Sequence, residues 1–155
     1  MKGVAVVDTN LLVLLVVGSA SRHYIARHKR LSEYSVDDFD MLGLILSEFS
    51  EIVLLPHVLA EASNFARMID LPARAKVQAA LGTLIATCME LPVPSIDGAQ
   101  RREFLDLGLT DAVILNVCSM CGIAPTLVTA DSKLANAANA LGYSVIDYRQ
   151  EFLKS

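Results

Sequence analysis

Apolar positions along the chain alternate between short β-branched runs and longer stretches at helical spacing. Residues 3–7 (Gly-Val-Ala-Val-Val) read as a strand buried on both faces, because every position is apolar or small. Residues 9–17 stay apolar without period-two alternation and predict a first helix. Residues 18–35 are polar and basic and predict a loop or a short irregular helix. Ser35, with Asp38 three positions on, makes a capping-box pattern opening a helix to about residue 49.

A second buried strand is predicted at 52–55. Pro56 suits a first helical position, so a helix to about 69 follows it. An alanine-rich helix spans about 72–89, and Pro92 and Pro94 then break the chain, leaving a short strand or loop near Val93. A helix from 96 to about 105 ends near Gly108. Thr110 caps a helix running to Gly122. Residues 126–129 form a strand, 132–141 a helix stopped by Gly142, and 144–146 a last strand. Strands alternating with helices predict one α/β domain over residues 1–155, its parallel sheet covered on both faces.

Composition narrows the possibilities. Of 155 residues, 54% are hydrophobic and 19% charged, which excludes a disordered chain. The net charge of -4 argues against a protein that coats nucleic acid by charge alone. It does not exclude a nuclease, since a bound cation reverses the field around gathered acids. Three cysteines do not make a secreted disulfide framework. Cys118 and Cys121 form a C-x-x-C pair without the further ligands a structural zinc needs, so they read as buried thiols. Lys2, the apolar run 11–17 and the small residues 18–20 mimic a signal peptide. Asp8 before that run argues against one, the run is too short to span a bilayer, and a cytoplasmic protein is expected.

Four acids stand where acids are costly. Asp8 sits between two apolar runs, at the carboxyl end of the first predicted strand, the edge at which open parallel sheets bind ligands. Glu61 borders the stripe Val58, Ala62, Phe65 and Ile69; a glutamate reaching solvent from that edge explains it equally well. Asp111 shares its helical face with Ile114, Leu115 and Cys118, although the helix dipole alone favours an acid in a first turn. Asp131 follows another strand, and an N-cap role accounts for it taken singly. Taken together, four carboxylates converging on one sheet edge need a cation, and all-oxygen ligation suits Mg²⁺ or Mn²⁺.

In order and spacing these positions resemble the PIN-domain family. The carrying motifs are Asp8-Thr9-Asn10 after the first strand, Glu61 in H-V-L-A-E-A, Asp111 in L-T-D-A-V-I and Asp131 in L-V-T-A-D. The chain is similar to the VapC-like toxin ribonucleases of toxin–antitoxin pairs, and the resemblance covers nearly its whole length. It implies a Rossmann-like α/β/α sandwich, Mg²⁺- or Mn²⁺-dependent cleavage of RNA, and metal-binding, catalytic roles for Asp8, Glu61, Asp111 and Asp131. Asn10 and Thr129 match positions that orient the site.

The expected chemistry is hydrolysis of an RNA phosphodiester by water activated at the ion. Arg22, His23, Tyr24, Arg27, His28, Lys29 and Arg30 suit phosphate contact with base stacking, and equally a solvated basic face or a partner surface. So much apolar material in a short chain predicts self-association, an antitoxin lying across the site, or both. Two rivals remain. A binding module with a degenerate site would lack some of the acids. A phosphohydrolase of small phosphorylated molecules, using an acid as nucleophile, would want a second aspartate where Asn10 stands.

Overall fold

The computed structural model describes residues 2–120 and 122–152. The expected α/β architecture is present: five parallel strands form one sheet, flanked by helices, in the order β3-β2-β1-β4-β5. The strands are β1 (Lys2–Val7), β2 (Phe49–Leu54), β3 (Met89–Glu90), β4 (Thr126–Thr129) and β5 (Val145–Asp147). Between β1 and β2 lie α1 (Thr9–Ala20), a 3-10 helix (Arg22–Arg27) and α2 (Val36–Ser47). Helices α3 (Pro56–Ala66) and α4 (Ala73–Thr87) lead to β3, and α5 (Ser95–Ala99), α6 (Phe104–Leu107) and α7 (Leu109–Cys118) lead to β4. Helix α8 (Ser132–Ala140) precedes β5, and α9 (Tyr148–Phe152) follows it. Among the described residues no helix is long and apolar enough to cross a membrane.

The central strand is β1, with Val6 opposite Val53 of β2 on one side and Leu127 of β4 on the other. Ala5, Val6 and Val7 are buried, as a strand covered on both faces must be. Helix α1 is buried around most of its circumference, through Leu11, Leu12, Val13, Leu14, Val16 and Val17. That explains the unbroken apolar run. Burying each such leucine contributes about 1.5–3 kcal/mol.

Several boundaries differ from expectation. Strand β2 begins three positions earlier than 52, because exposed Ser50 and Glu51 break the apolar run while their backbone still pairs with β1. The edge strand β3 is Met89–Glu90, not a segment near Val93: Pro92 and Pro94, lacking N–H groups, leave Val93 buried but outside the ladder. The helix expected over 96–105 is two short helices. Across the break Arg101 Nε donates to Glu103 Oε1 at 3.0 Å, both side chains largely buried. Helix α7 is capped by Gly108 rather than Thr110, and it ends at Cys118, with Ser119 as C-cap, instead of reaching Gly122. Gly108 adopts φ +89°, a conformation that favours glycine, and turns the chain from α6 into α7. The Ser35–Asp38 capping box forms both of its expected bonds, and Pro56 opens α3.

Candidate acidic active site

Strand order creates the site. From β1 the chain builds outward through β2 to β3, then returns to the other side of β1 to lay down β4 and β5. The carboxyl ends of β1 and β4 therefore flank a topological switch point, where connections diverge to opposite sides and leave a crevice. Asp8 lies at the first of these ends and Asp131 just beyond the second.

Asp8 is the N-cap of α1 and only 6% exposed. Its backbone N–H extends the ladder to Val128 O at 3.0 Å, which fixes it beside β4. Oδ1 accepts from the Thr9 N–H, and Oδ2 accepts from the Thr129 hydroxyl, each at 2.7 Å. The Thr129 oxygen in turn accepts the Asp131 N–H at 3.0 Å. One hydroxyl thus joins the two strand ends. Asp131 caps α8, its Oδ1 taking the N–H groups of Lys133 (2.9 Å) and Leu134 (3.3 Å), so the bland reading of this residue holds structurally. The cap occupies Oδ1 and leaves Oδ2 without a protein donor among the described residues.

Glu61 projects from α3 toward α7, where the Thr110 hydroxyl donates to its Oε2 at 3.0 Å. Thr110 is the residue that sequence reasoning took for a cap; because Gly108 caps α7 instead, its hydroxyl is free to hold the glutamate. Asp111 follows on the same helix. Ile114, Leu115 and Cys118 on its face are buried, and Asp111 itself is half-buried.

All four acids line one cavity of about 490 Å³, together with Thr9, Asn10, Thr110 and Arg30. Burial raises the pKa of Asp8 above the usual carboxylate range against the two hydrogen bonds that lower it, with Asp131 and Glu61 adding repulsion. Asp111 is pushed up to about 7, first by burial and then by the charges of Asp8, Asp131 and Glu61. The four carboxylates therefore feel one another. They do not form a closed cage: among the described residues no three His, Cys, Asp or Glu side chains are grouped as a ready metal site.

The basic segment divides. Arg22 is exposed and paired with Asp40 at 3.0 Å, and Arg27 lies over the Tyr24 ring at 5.5 Å; none of these three lines the acidic cavity. His23 is exposed. His28 is buried, with Nε2–H donating to Ala66 O and Nδ1 accepting from the Arg30 N–H, both at 3.1 Å, which requires the neutral ring. Burial accordingly lowers its pKa. His28 thus fixes the backbone that carries Arg30, whose guanidinium lies 3.8 Å from the centre of the Phe65 ring, and both line the cavity.

Sequence reasoning missed Thr110, and also Arg149 on α9, whose Nε donates to Ala130 O at 2.9 Å, one residue before Asp131. Arg149 lies in a short terminal helix without apolar periodicity, so no pattern marked it. Thr110 carried a signal, as the residue before an inward-facing acid. Of the C-x-x-C pair, Cys118 is buried, its thiol pushed up to about 11 by burial, and Cys121 lies outside the described residues. No protein-family model matches the chain, and no curated protein matches it.

Proposed function

We propose that the chain is a Mg²⁺- or Mn²⁺-dependent endoribonuclease of the PIN-domain type. The observation that carries this reading is the convergence of four carboxylates, from β1, α3, α7 and the β4–α8 junction, on one open cavity at the switch point. Carboxylates without a countercharge repel and take up protons, as the raised Asp111 does. The donor chemistry fits a hard ion that keeps several waters and uses one or two carboxylates directly, rather than a caged one. Thr9, whose buried hydroxyl has no hydrogen-bond partner among the described residues, lines the same cavity.

Asp8 and Asp111 are the direct ligands in this reading, and Asp131 and Glu61 act through water. When bound, the divalent ion supplies Lewis acidity toward a phosphoryl oxygen and lowers the pKa of water. The protein's own part is orientation. Thr9 N–H and the Thr129 hydroxyl hold both oxygens of Asp8 in place. Thr110 fixes Oε2 of Glu61, which leaves Oε1 to accept a hydrogen bond from a water in the cavity. Arg30, the one cation among the described lining residues, meets the phosphate. Asn10 contributes an amide to the same wall.

RNA as substrate, an antitoxin polypeptide as inhibitor, self-association and a cytoplasmic setting complete the reading. The test is cleavage of single-stranded RNA, and of DNA of the same sequence, with Mg²⁺, with Mn²⁺ and with a chelator. RNA cleavage that requires the ion is expected. No cleavage with either ion, or undiminished cleavage in chelator, would overturn the assignment.

A further inference from the structure

A second cavity, about 280 Å³, opens beside the acidic one and shares Asn10 and Arg30 with it. Its remaining walls come from distant parts of the chain: Lys29, Ser32, Glu33 and Tyr34 after the 3-10 helix, and Arg149 from α9. Three cations face a single carboxylate here, in a protein whose net charge is -4.

Two of these cations are held in place. Arg149 Nε is tied to Ala130 O, its terminal nitrogen pairs with Glu33, and the adjacent Tyr148 anchors α9 by donating to Asp38 Oδ1 at 2.9 Å. Arg30 is fixed by Phe65 and by its backbone bond to His28. Lys29 and Arg30 have no ion pair among the described residues, so no described carboxylate is paired with their charge. Tyr34 is 8% exposed; its hydroxyl lies near the Arg149 guanidinium, and among the described residues it has no acceptor for its proton. A buried donor left in that state is costly. A phosphate oxygen accepts from phenol, guanidinium and ammonium alike.

We propose that this cavity is a phosphate subsite, which takes a phosphate of the RNA strand whose scissile bond lies over the acidic cavity, with Asn10 and Arg30 between the two groups. The identity of the strand rests on the nuclease reading above; the anion site rests on its own geometry. Glu33, with 65% of its side chain exposed, competes with the phosphate for Arg149. The ligand is either an internal phosphodiester or a terminal phosphate monoester.

The test is binding of a fluorescently labelled single-stranded RNA to the full chain, in chelator, across a range of salt. Lys29→Gln is expected to weaken binding several-fold and to lower the slope of log affinity against log salt by about 0.7, the value for one phosphate contact on a single strand. Glu33→Gln is expected to tighten binding several-fold. Opposite signs at Lys29 and Glu33 are not produced by loosened packing. Wild-type binding in both variants, or weakening in both, overturns the subsite. RNA carrying a 5′-phosphate and RNA carrying a 5′-hydroxyl separate the two sources. A Glu33→Gln gain confined to the former assigns the terminal monoester, and a gain with both assigns the internal diester. Ion-dependent cleavage is followed in parallel. If it persists while the variants bind normally, the subsite alone fails; if it is absent while they respond as stated, the nuclease reading alone fails.

Discussion

The hydroxyl of Thr129 donates to Oδ2 of Asp8 across 2.7 Å, joining residues 121 positions apart in the chain. Because the same oxygen accepts the Asp131 N–H, the side chain of one acid and the backbone of another are set by one threonine. Removing the hydroxyl leaves a buried carboxylate short of one of its two donors. Thr129→Val is expected to lower Mn²⁺ affinity, or cleavage, by about 10–100-fold, the usual loss when the partner of a metal ligand is removed. Thr129→Ser should retain most of both. A loss in Thr129→Ser that Thr129→Val does not share would show that the methyl group, not the hydroxyl, matters.

Asp111 gives the metal-free protein a pH dependence of defined sign. Its carboxyl is raised from 3.8 to about 7, so the native state holds a proton that the unfolded chain releases. Its contribution to stability is therefore full below pH 3.8 and is lost as pH rises through about 7. In chelator, Asp111→Asn should gain thermal stability relative to wild type progressively across that window and show no further relative gain above it. Mn²⁺ should reverse the wild-type loss near neutrality. A difference between the two proteins that does not change with pH would contradict the burial and crowding at this position.

His28 acts in the opposite sense. Buried with Nδ1 accepting a backbone N–H, it resists protonation that the unfolded chain accepts below its ordinary value of 6.5. Stability from this group is full above 6.5 and is lost as pH falls below it toward the lowered native value. An NMR titration should place the His28 midpoint below its ordinary value of 6.5. A midpoint at or above that value would mean that the ring faces solvent.

Gly108 supports α7 through its backbone alone. At φ +89° and ψ 177° it occupies a region nearly confined to glycine, and a Cβ there would touch nothing. Gly108→Ala should therefore cost about 1–3 kcal/mol through strain rather than clash. It should also reduce cleavage, because Thr110 and Asp111 follow in the next three positions. Unchanged denaturant midpoints would contradict this account of the turn.

The fold was legible where burial is two-sided. The run ending in Val7 and the run 126–129 mark β1 and β4 because parallel strands covered on both faces read as continuous apolar or β-branched runs without alternation. These are also the strands that place Asp8 and Asp131. Legibility failed where tertiary pairing decided the matter: the exposed Ser50 and Glu51 belong to β2 only through β1, and β3 is two exposed residues held beside β2. The four acids were identified singly by residues they interrupt, but their shared cavity depends on the β1–β4 crossover. Arg149 was invisible because a five-residue helix has no periodicity to read, and its place beside Ala130 comes from Tyr148 docking on α2. Thr110 was misassigned because Gly108, two residues earlier, already caps the helix.

In the proposed function, Asp8, Glu61, Asp111 and Asp131 gather to share one hard cation. Calorimetric titration of the full chain with Mn²⁺ tests it most directly, alongside Asp8→Asn and Asp111→Asn variants shown to be folded. A saturable site in the wild type, competed by Mg²⁺ and lost or strongly weakened in both variants, is the predicted result. No saturable binding in the wild type, or binding of equal strength in all three proteins, would contradict it.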